Sequence, residues 1–345
     1  MTKLKNQDKV NTDHIFSSYE TIDEIPWLAE AFDQITRAST LPAILIVGRP
    51  DIGKTFLAKF VAVGILCSNS SSPNSLYPCK SCRDCHLASI NGHPDLHLLP
   101  GAKESEGKIT IQHVRDLVSK ISKTSHRGGT KVVIINRLDL MSPGTGNALL
   151  KILEDANKKI LFLLLTDKLH QTLPTIRSRC HKINVPQPKL IDAMIWLKHY
   201  SDLPENKLRL ALAMAGFSPL RALKITDDKN FWLNREKLLD TIVKGANLVE
   251  LVESSENIDS KVLTDILFML VYDTLLYFQY RKIKYHFDYS SFIEVFSKEI
   301  LLINLLKWQD SILNHARQST HTINRKLALE ALFSEFLNLT KNNAD

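Results

Sequence analysis

Gly48-Arg49-Pro50-Asp51-Ile52-Gly53-Lys54-Thr55 is a complete G-x-x-x-x-G-K-T. The chemistry it offers is phosphate binding. Glycines let the backbone wrap an anion, and a following helix presents oriented amides to it. An apolar run, Ala43–Val47, precedes the segment and a helical pattern from about Lys54 to Leu66 follows it, the strand-to-helix setting a phosphate loop requires. The spacing predicts that Gly48 and Gly53 shape the loop. Lys54 reaches the outer phosphates of ATP, and Thr55 ligates its Mg²⁺.

Cleaving that nucleotide needs a second element, a strand ending in an aspartate for Mg²⁺ and then a glutamate that polarises water. The strand expected at Val132–Ile135 ends instead in Asn136-Arg137. Asparagine brings no charge to a metal, and arginine is not a base at ordinary pH. Asp139 follows three residues on, and a shifted register would make it the metal ligand. The chain therefore reads as able to hold ATP/Mg²⁺ and poorly equipped to hydrolyse it.

Cys67, Cys79, Cys82 and Cys85 bring four thiolates into one short segment. Four is the number a closed, tetrahedral structural zinc site needs. The triplet also resembles part of an iron–sulfur pattern, but Ser89 stands where the next cysteine would be and no proline follows. His86 and His93 are candidate substitutes for one ligand. Four of the five cysteines cluster, and with no secretory signal this favours metal over disulfides.

These residues need a scaffold. Ala43–Val47, Asp95–Leu99, Val132–Ile135, Ile160–Leu165 and Lys182–Val185 read as five apolar strands separated by helices. That pattern implies a parallel sheet covered on both faces, with ligands at the strands' carboxyl ends. Ile111, Val114, Val118 and Ile121 fall on one helical face behind Thr110 as N-cap, and Asn147–Asp155 is a second helix. Past Pro186 and Pro188 the chain reads as helical throughout, and 266–272 is apolar all round, as in a helix buried in a bundle or oligomer. Asp265 and Asp273 interrupt the greasiest stretch, Val262–Phe278, which argues against a membrane span. The polar N-terminus has no signal-peptide core, so the expectation is a cytoplasmic protein. A chain of 345 residues allows two or three domains, and its 44% hydrophobic content is that of an ordinary globular protein. The net charge of +7 is compatible with nucleic-acid contact, but there is no arginine-rich tract.

A phosphate loop, a four-cysteine insert after its helix and then Gly92-His93-Pro94-Asp95 resemble the bacterial clamp-loader ATPases, AAA+ proteins of the DNA polymerase III complex. KVVIINRLDLMSPGTGNALLKILEDA and LLLTDKLHQTLPTIRSRC strengthen the likeness, above all Asn147–Lys151 and Ser178-Arg179-Cys180. GFSPLRAL is similar to the family's second sensor helix, and the tail TINRKLALEALF to a collar domain. The helix end Leu153-Glu154-Asp155-Ala156 departs from the family's usual Glu-Glu-Pro.

The resemblance implies an α/β AAA+ domain over 1–187 carrying a zinc module at 67–85, a small helical lid over 188–230 and an all-helical collar over 231–345. It implies that Arg179 enters a neighbour's ATP site as an arginine finger, that Thr166 is the first sensor and that Arg221 is the arginine of the second. A surface arginine, a strand-end hydroxyl and an exposed helix cation are the plainer roles of those three residues. Lys151 either faces DNA in the ring's bore or is an ordinary exposed lysine. The implied partners are gamma/tau and delta subunits in a hetero-oligomeric ring, the sliding clamp and primed DNA, with no membrane. The missing acids point to the member that completes the ring without hydrolysing ATP. An active motor subunit and a zinc-bearing nucleic-acid-binding module with a vestigial loop are the rivals.

Overall fold

The computed structural model describes residues 21–70, 76–99, 109–122, 125, 129–155, 159–318 and 324–341. They fall into two compact units, one within 1–196 together with 218–221, the other within 197–217 and 222–345.

In the first unit the elements run α1 (Pro26–Ala38), β1 (Ala43–Val47), α2 (Lys54–Leu66), α3 (Arg83–Ser89), β2 (Leu96–Leu99), α4 (Ile111–Ile121), β3 (Lys131–Ile135), α5 (Pro143–Glu154), β4 (Ile160–Thr166), α6 (Pro174–Arg177) and β5 (His181–Asn184). The five strands form one all-parallel sheet in the order β2-β3-β4-β1-β5. The α/β class and the five-stranded parallel sheet are as expected. AILIV, VVII and ILFLLL can be unbroken apolar runs because the central strands are buried on both faces. The edge strand β5 buries only Ile183 of its four residues.

Register places the chemistry. Val47 pairs with Thr166, so the ends of β1 and β4 lie side by side where the phosphate loop begins. Gly48 N–H donates to Thr166 O at 3.3 Å, which extends the ladder by one bond. The buried face of α4 is Val114, Leu117 and Ile121, whereas Ile111 and Val118 are exposed. The expected stripe thus turns by one position, because Leu117 rather than Val118 meets the sheet-side core with Leu149 and Ile152. Thr110 caps α4 as expected, in a box with His113.

Among the described residues beyond Val185 the regular elements are all helical: α7 (Leu190–Tyr200), α8 (Glu205–Met214), α9 (Pro219–Thr226), α10 (Lys229–Val243), α11 (Leu248–Ser255), α12 (Ser260–Tyr280), α13 (Ser290–Glu299), α14 (Leu302–Gln318) and α15 (Arg325–Lys341). Leu238, Leu263, Leu267, Leu270, Trp308, Ile312 and Phe333 centre the core of the second unit. α12 is long and apolar enough to cross a membrane by composition, yet Leu263, Ile266, Leu267, Leu270 and Val271 are buried in that core. Tyr272 is exposed, so 266–272 is not buried all round. Asp273 is fully buried and accepts backbone N–H groups from Lys284, Tyr285 and His286. Burial raises the Asp273 pKa, and those three amides oppose the rise.

Candidate nucleotide and metal sites

The loop between β1 and α2 is built for close approach. Asp51 and Gly53 both have positive φ, 55° and 101°, the left-handed backbone a tight loop needs and glycine adopts without strain. A Cβ at Gly48 would lie 2.7 Å from Ile52 Cδ1 and 3.1 Å from Val185 O, so a side chain there would displace Ile52 and crowd the end of β5. Two outside residues hold its backbone. Trp27 Nε1 donates to Ile52 O at 2.8 Å, and Ser218 Oγ donates to Pro50 O at 2.9 Å. Sequence reasoning missed both.

Lys54 opens α2 and is 5% exposed. Its Nζ donates to Arg49 O at 2.5 Å and pairs with Asp167 Oδ1 at 2.7 Å. An ammonium so poorly solvated needs a counter-charge. The Asp167 carboxylate supplies that counter-charge from within the chain. Thr55 Oγ1 lies 3.4 Å from Asn136 Nδ2, and β3 ends at Ile135 in the expected register, so Asn136 does occupy the strand-end position.

The shifted-register alternative does not hold. Asp139 lies in a turn past the strand, where its Oδ1 accepts from Thr166 Oγ1 at 3.2 Å and from Asp167 N–H at 3.0 Å. Thr166 is fully buried and also shares a 3.0 Å hydroxyl contact with Thr172. Asp139 therefore positions the end of β4. Arg137 stands in left-handed backbone at φ 54°, and its Nε is buried without a hydrogen-bond partner.

The four cysteine sulfurs converge, all within 4.8 Å of one another. Cys67–Cys82 and Cys79–Cys85 are each 3.9 Å apart. A tetrahedron with Zn–S near 2.3 Å has S···S edges of about 3.8 Å, so the donor set fits one zinc ion. Cys82 also caps α3, accepting from Cys85 N–H. Burial raises the Cys82 thiol pKa, but hydrogen bonds from Cys85 and Ser68 outweigh it and bring it down to about 5. His93 is not a substitute ligand. It is buried, its Nδ1 accepts from Asp95 N–H and its Nε2 faces Asp84 at 3.6 Å. His86 is exposed on α3.

Arg179 follows α6 and is exposed. Nη1 donates to Thr175 O at 3.1 Å and Nη2 pairs with Glu154 at the end of α5. Lys151 is exposed on α5 and, with Arg115, lines a groove between α4 and α5. Arg221 is half-buried on α9.

A family model described as "DNA polymerase III, delta subunit" matches residues 27–189. The DNA polymerase III subunit delta' of Pseudomonas aeruginosa is 34% identical over 205 residues, 59% of this chain and 61% of that relative. The subunit delta' of Buchnera aphidicola subsp. Acyrthosiphon pisum is 30% identical over 263 residues, 73% of this chain and 78% of the relative. The chain belongs to the delta-prime family of DNA polymerase III subunits. A solved DNA polymerase III gamma-subunit-related protein of Thermotoga maritima aligns over 90% of this chain and 99% of its own length, at 16% identity and a TM-score of 0.42.

The part of this delta-prime chain matched by the family model runs from α1 to just past β5 and so holds the phosphate loop, the cysteine cluster and Arg179. Sequence reasoning found the phosphate loop and the cysteine cluster from motif spacing, and Arg179 from the resemblance carried by Ser178-Arg179-Cys180. It missed Asp167 because the signal, an acid directly after an expected strand end, is common in loops.

Proposed function

We propose that this delta-prime family chain is a non-motor subunit of the DNA polymerase III clamp loader. With gamma/tau and delta subunits in a hetero-oligomeric ring it helps load the sliding clamp onto primed DNA, in the cytoplasm. The observation that carries the non-motor role is the pairing of a complete phosphate loop with Asn136, an uncharged amide 3.4 Å from Thr55 where a metal-holding carboxylate would stand. The loop binds ATP through the amides around Gly48 and Gly53 and through Lys54. Mg²⁺ at Thr55 is held without an acid from β3, and hydrolysis is inefficient. Thr166 and Arg221 serve as sensor residues. The zinc held by Cys67, Cys79, Cys82 and Cys85 is structural, because four thiolates leave no open coordination position.

The lid over 188–230 and the collar over 231–345 belong to the same reading. So does Arg179 as a finger in trans. Its planar fork suits the equatorial oxygens of a transferring phosphoryl group, and its exposure leaves it available to a neighbour.

Co-expression with gamma/tau and delta tests the assembly. The expected result is one stable complex containing this chain, with clamp loading lost on its omission. Failure to co-purify, or motor-like ATP turnover by the isolated chain, overturns the reading.

A further inference from the structure

Asp167 is the first residue after β4, and nothing in the phosphate-loop pattern demands an acid there. Its main chain is pinned, since its N–H donates to Asp139 Oδ1 at 3.0 Å and the preceding Thr166 hydroxyl donates to the same oxygen at 3.2 Å. The pairing of Thr166 with Val47 sets this anchored turn beside the start of the loop. From there the Asp167 side chain meets Lys54 Nζ at 2.7 Å, and the two side chains are 23% and 6% exposed.

The ammonium that should receive an outer phosphate is thus already neutralised from within. With Asn136 uncharged at the end of β3, Asp167 is the acid that meets this need. We propose that Asp167 is a built-in competitor for the phosphate loop, a carboxylate that occupies the outer-phosphate place on Lys54 and must swing away before a nucleotide can bind. This deepens the nucleotide-binding reading above and rests on it.

The physics is that of a two-state equilibrium. A polyphosphate and a carboxylate cannot share one ammonium without bringing like charges into contact, so binding requires the state in which Asp167 has left. Apparent affinity is reduced by the fraction of time the competitor is away. The turn is held by backbone and Thr166 contacts rather than by the carboxylate, so release needs rotation of one short side chain and no unfolding. The partly exposed position of Asp167 gives the released carboxylate access to water. The loop would then remain empty at low nucleotide concentration and fill only when nucleotide is abundant.

The test is a titration of the full chain with a fluorescent ATP analogue, with and without Mg²⁺. The proteins are wild type, Asp167→Asn, Asp167→Ser and Lys54→Ala, and thermal melts are run on each. The expected result is about tenfold tighter binding by both Asp167 variants, as for a competitor in place about nine-tenths of the time. The gain should appear with and without Mg²⁺, and Lys54→Ala should lose binding. Equal affinity of wild type and both Asp167 variants, with binding still dependent on Lys54, overturns the competitor and leaves the nucleotide-binding reading intact. Weaker binding by the variants in Mg²⁺ alone makes Asp167 a metal carboxylate and overturns the proposal in the opposite sense. No binding by any protein at millimolar analogue removes the nucleotide-binding reading itself, and the competitor with it.

Discussion

The side-chain amide of Asn136 faces the Thr55 hydroxyl, Nδ2 to Oγ1 3.4 Å. An aspartate at 136 would put a negative charge beside that hydroxyl and hold Mg²⁺ against it. The amide instead turns a donor toward it. Losing the acid and the adjacent water-polarising group costs several kcal/mol of transition-state stabilisation, on the order of 10³-fold or more in rate. Steady-state ATPase assays of the isolated chain should show turnover lower by that order than a motor subunit's. Within the assembled complex, Asn136→Asp with Arg137→Glu should raise hydrolysis at this chain's own site. An unchanged rate would place the deficit elsewhere.

Metal analysis of freshly purified, reduced protein should give about one zinc per chain. Removing it with a strong chelator should lower the melting temperature, because ligand binding free energy is folding free energy in a closed thiolate site. Cys82→Ala should have the largest effect among single cysteine-to-alanine substitutions, since it removes both one sulfur of the cluster and the side-chain cap of α3. Zinc-free protein of unchanged stability would sink the structural role.

Arg179→Ala should fold and assemble normally. The pair it makes with Glu154 is exposed on both sides, so its loss changes stability by less than about 1 kcal/mol. ATP hydrolysis at the one facing site should fall, and clamp loading with it, while the other sites keep working. Lysine should rescue poorly because a point charge lacks the bidentate fork. Normal loading by the alanine variant would make Arg179 a surface residue and nothing more.

In the second unit, Arg235 is buried, forks onto Asp288 at 2.7 and 2.8 Å and donates to His286 Nδ1 at 2.9 Å. His286 Nε2 faces Ile266 O at 3.1 Å, so the ring is held neutral with one nitrogen accepting and the other donating. Burial, followed by the Arg235 charge, lowers its pKa from 6.5 to about 3. The unfolded chain therefore takes up a proton near pH 6.5 that the folded chain refuses until about pH 3. This group's contribution is fully present above pH 6.5 and is lost as pH falls through that window, by roughly 1.4 kcal/mol per unit at most. Asp273 accepts the His286 N–H and has a pKa raised by burial, so its own contribution to stability runs in the opposite sense. The readout is thus the slope of stability between pH 6.5 and 5, which should flatten in His286→Gln.

Much of this was legible in the sequence because burial on both faces of a parallel sheet leaves unbroken apolar runs. β1 and α2 have the expected bounds for that reason. The start of α5 was hidden. Pro143-Gly144-Thr145-Gly146 reads as a loop, yet Ser142 caps the helix and proline suits its first turn, so α5 begins before Asn147. The phosphate loop and the cysteine cluster are local in sequence and could be read directly. Asp167, Trp27 and Ser218 act through space, and no spacing rule reaches them.

The bond from Ser218 to Pro50 spans 168 positions. Translation is vectorial, so the loop's own residues emerge from the ribosome long before the hydroxyl that fastens them. β1 must likewise wait for β4 and β5, the strands on either side of it. During synthesis the nascent chain therefore carries its anion cradle unfinished. The fastening of Pro50 is completed only once residue 218 has cleared the exit tunnel.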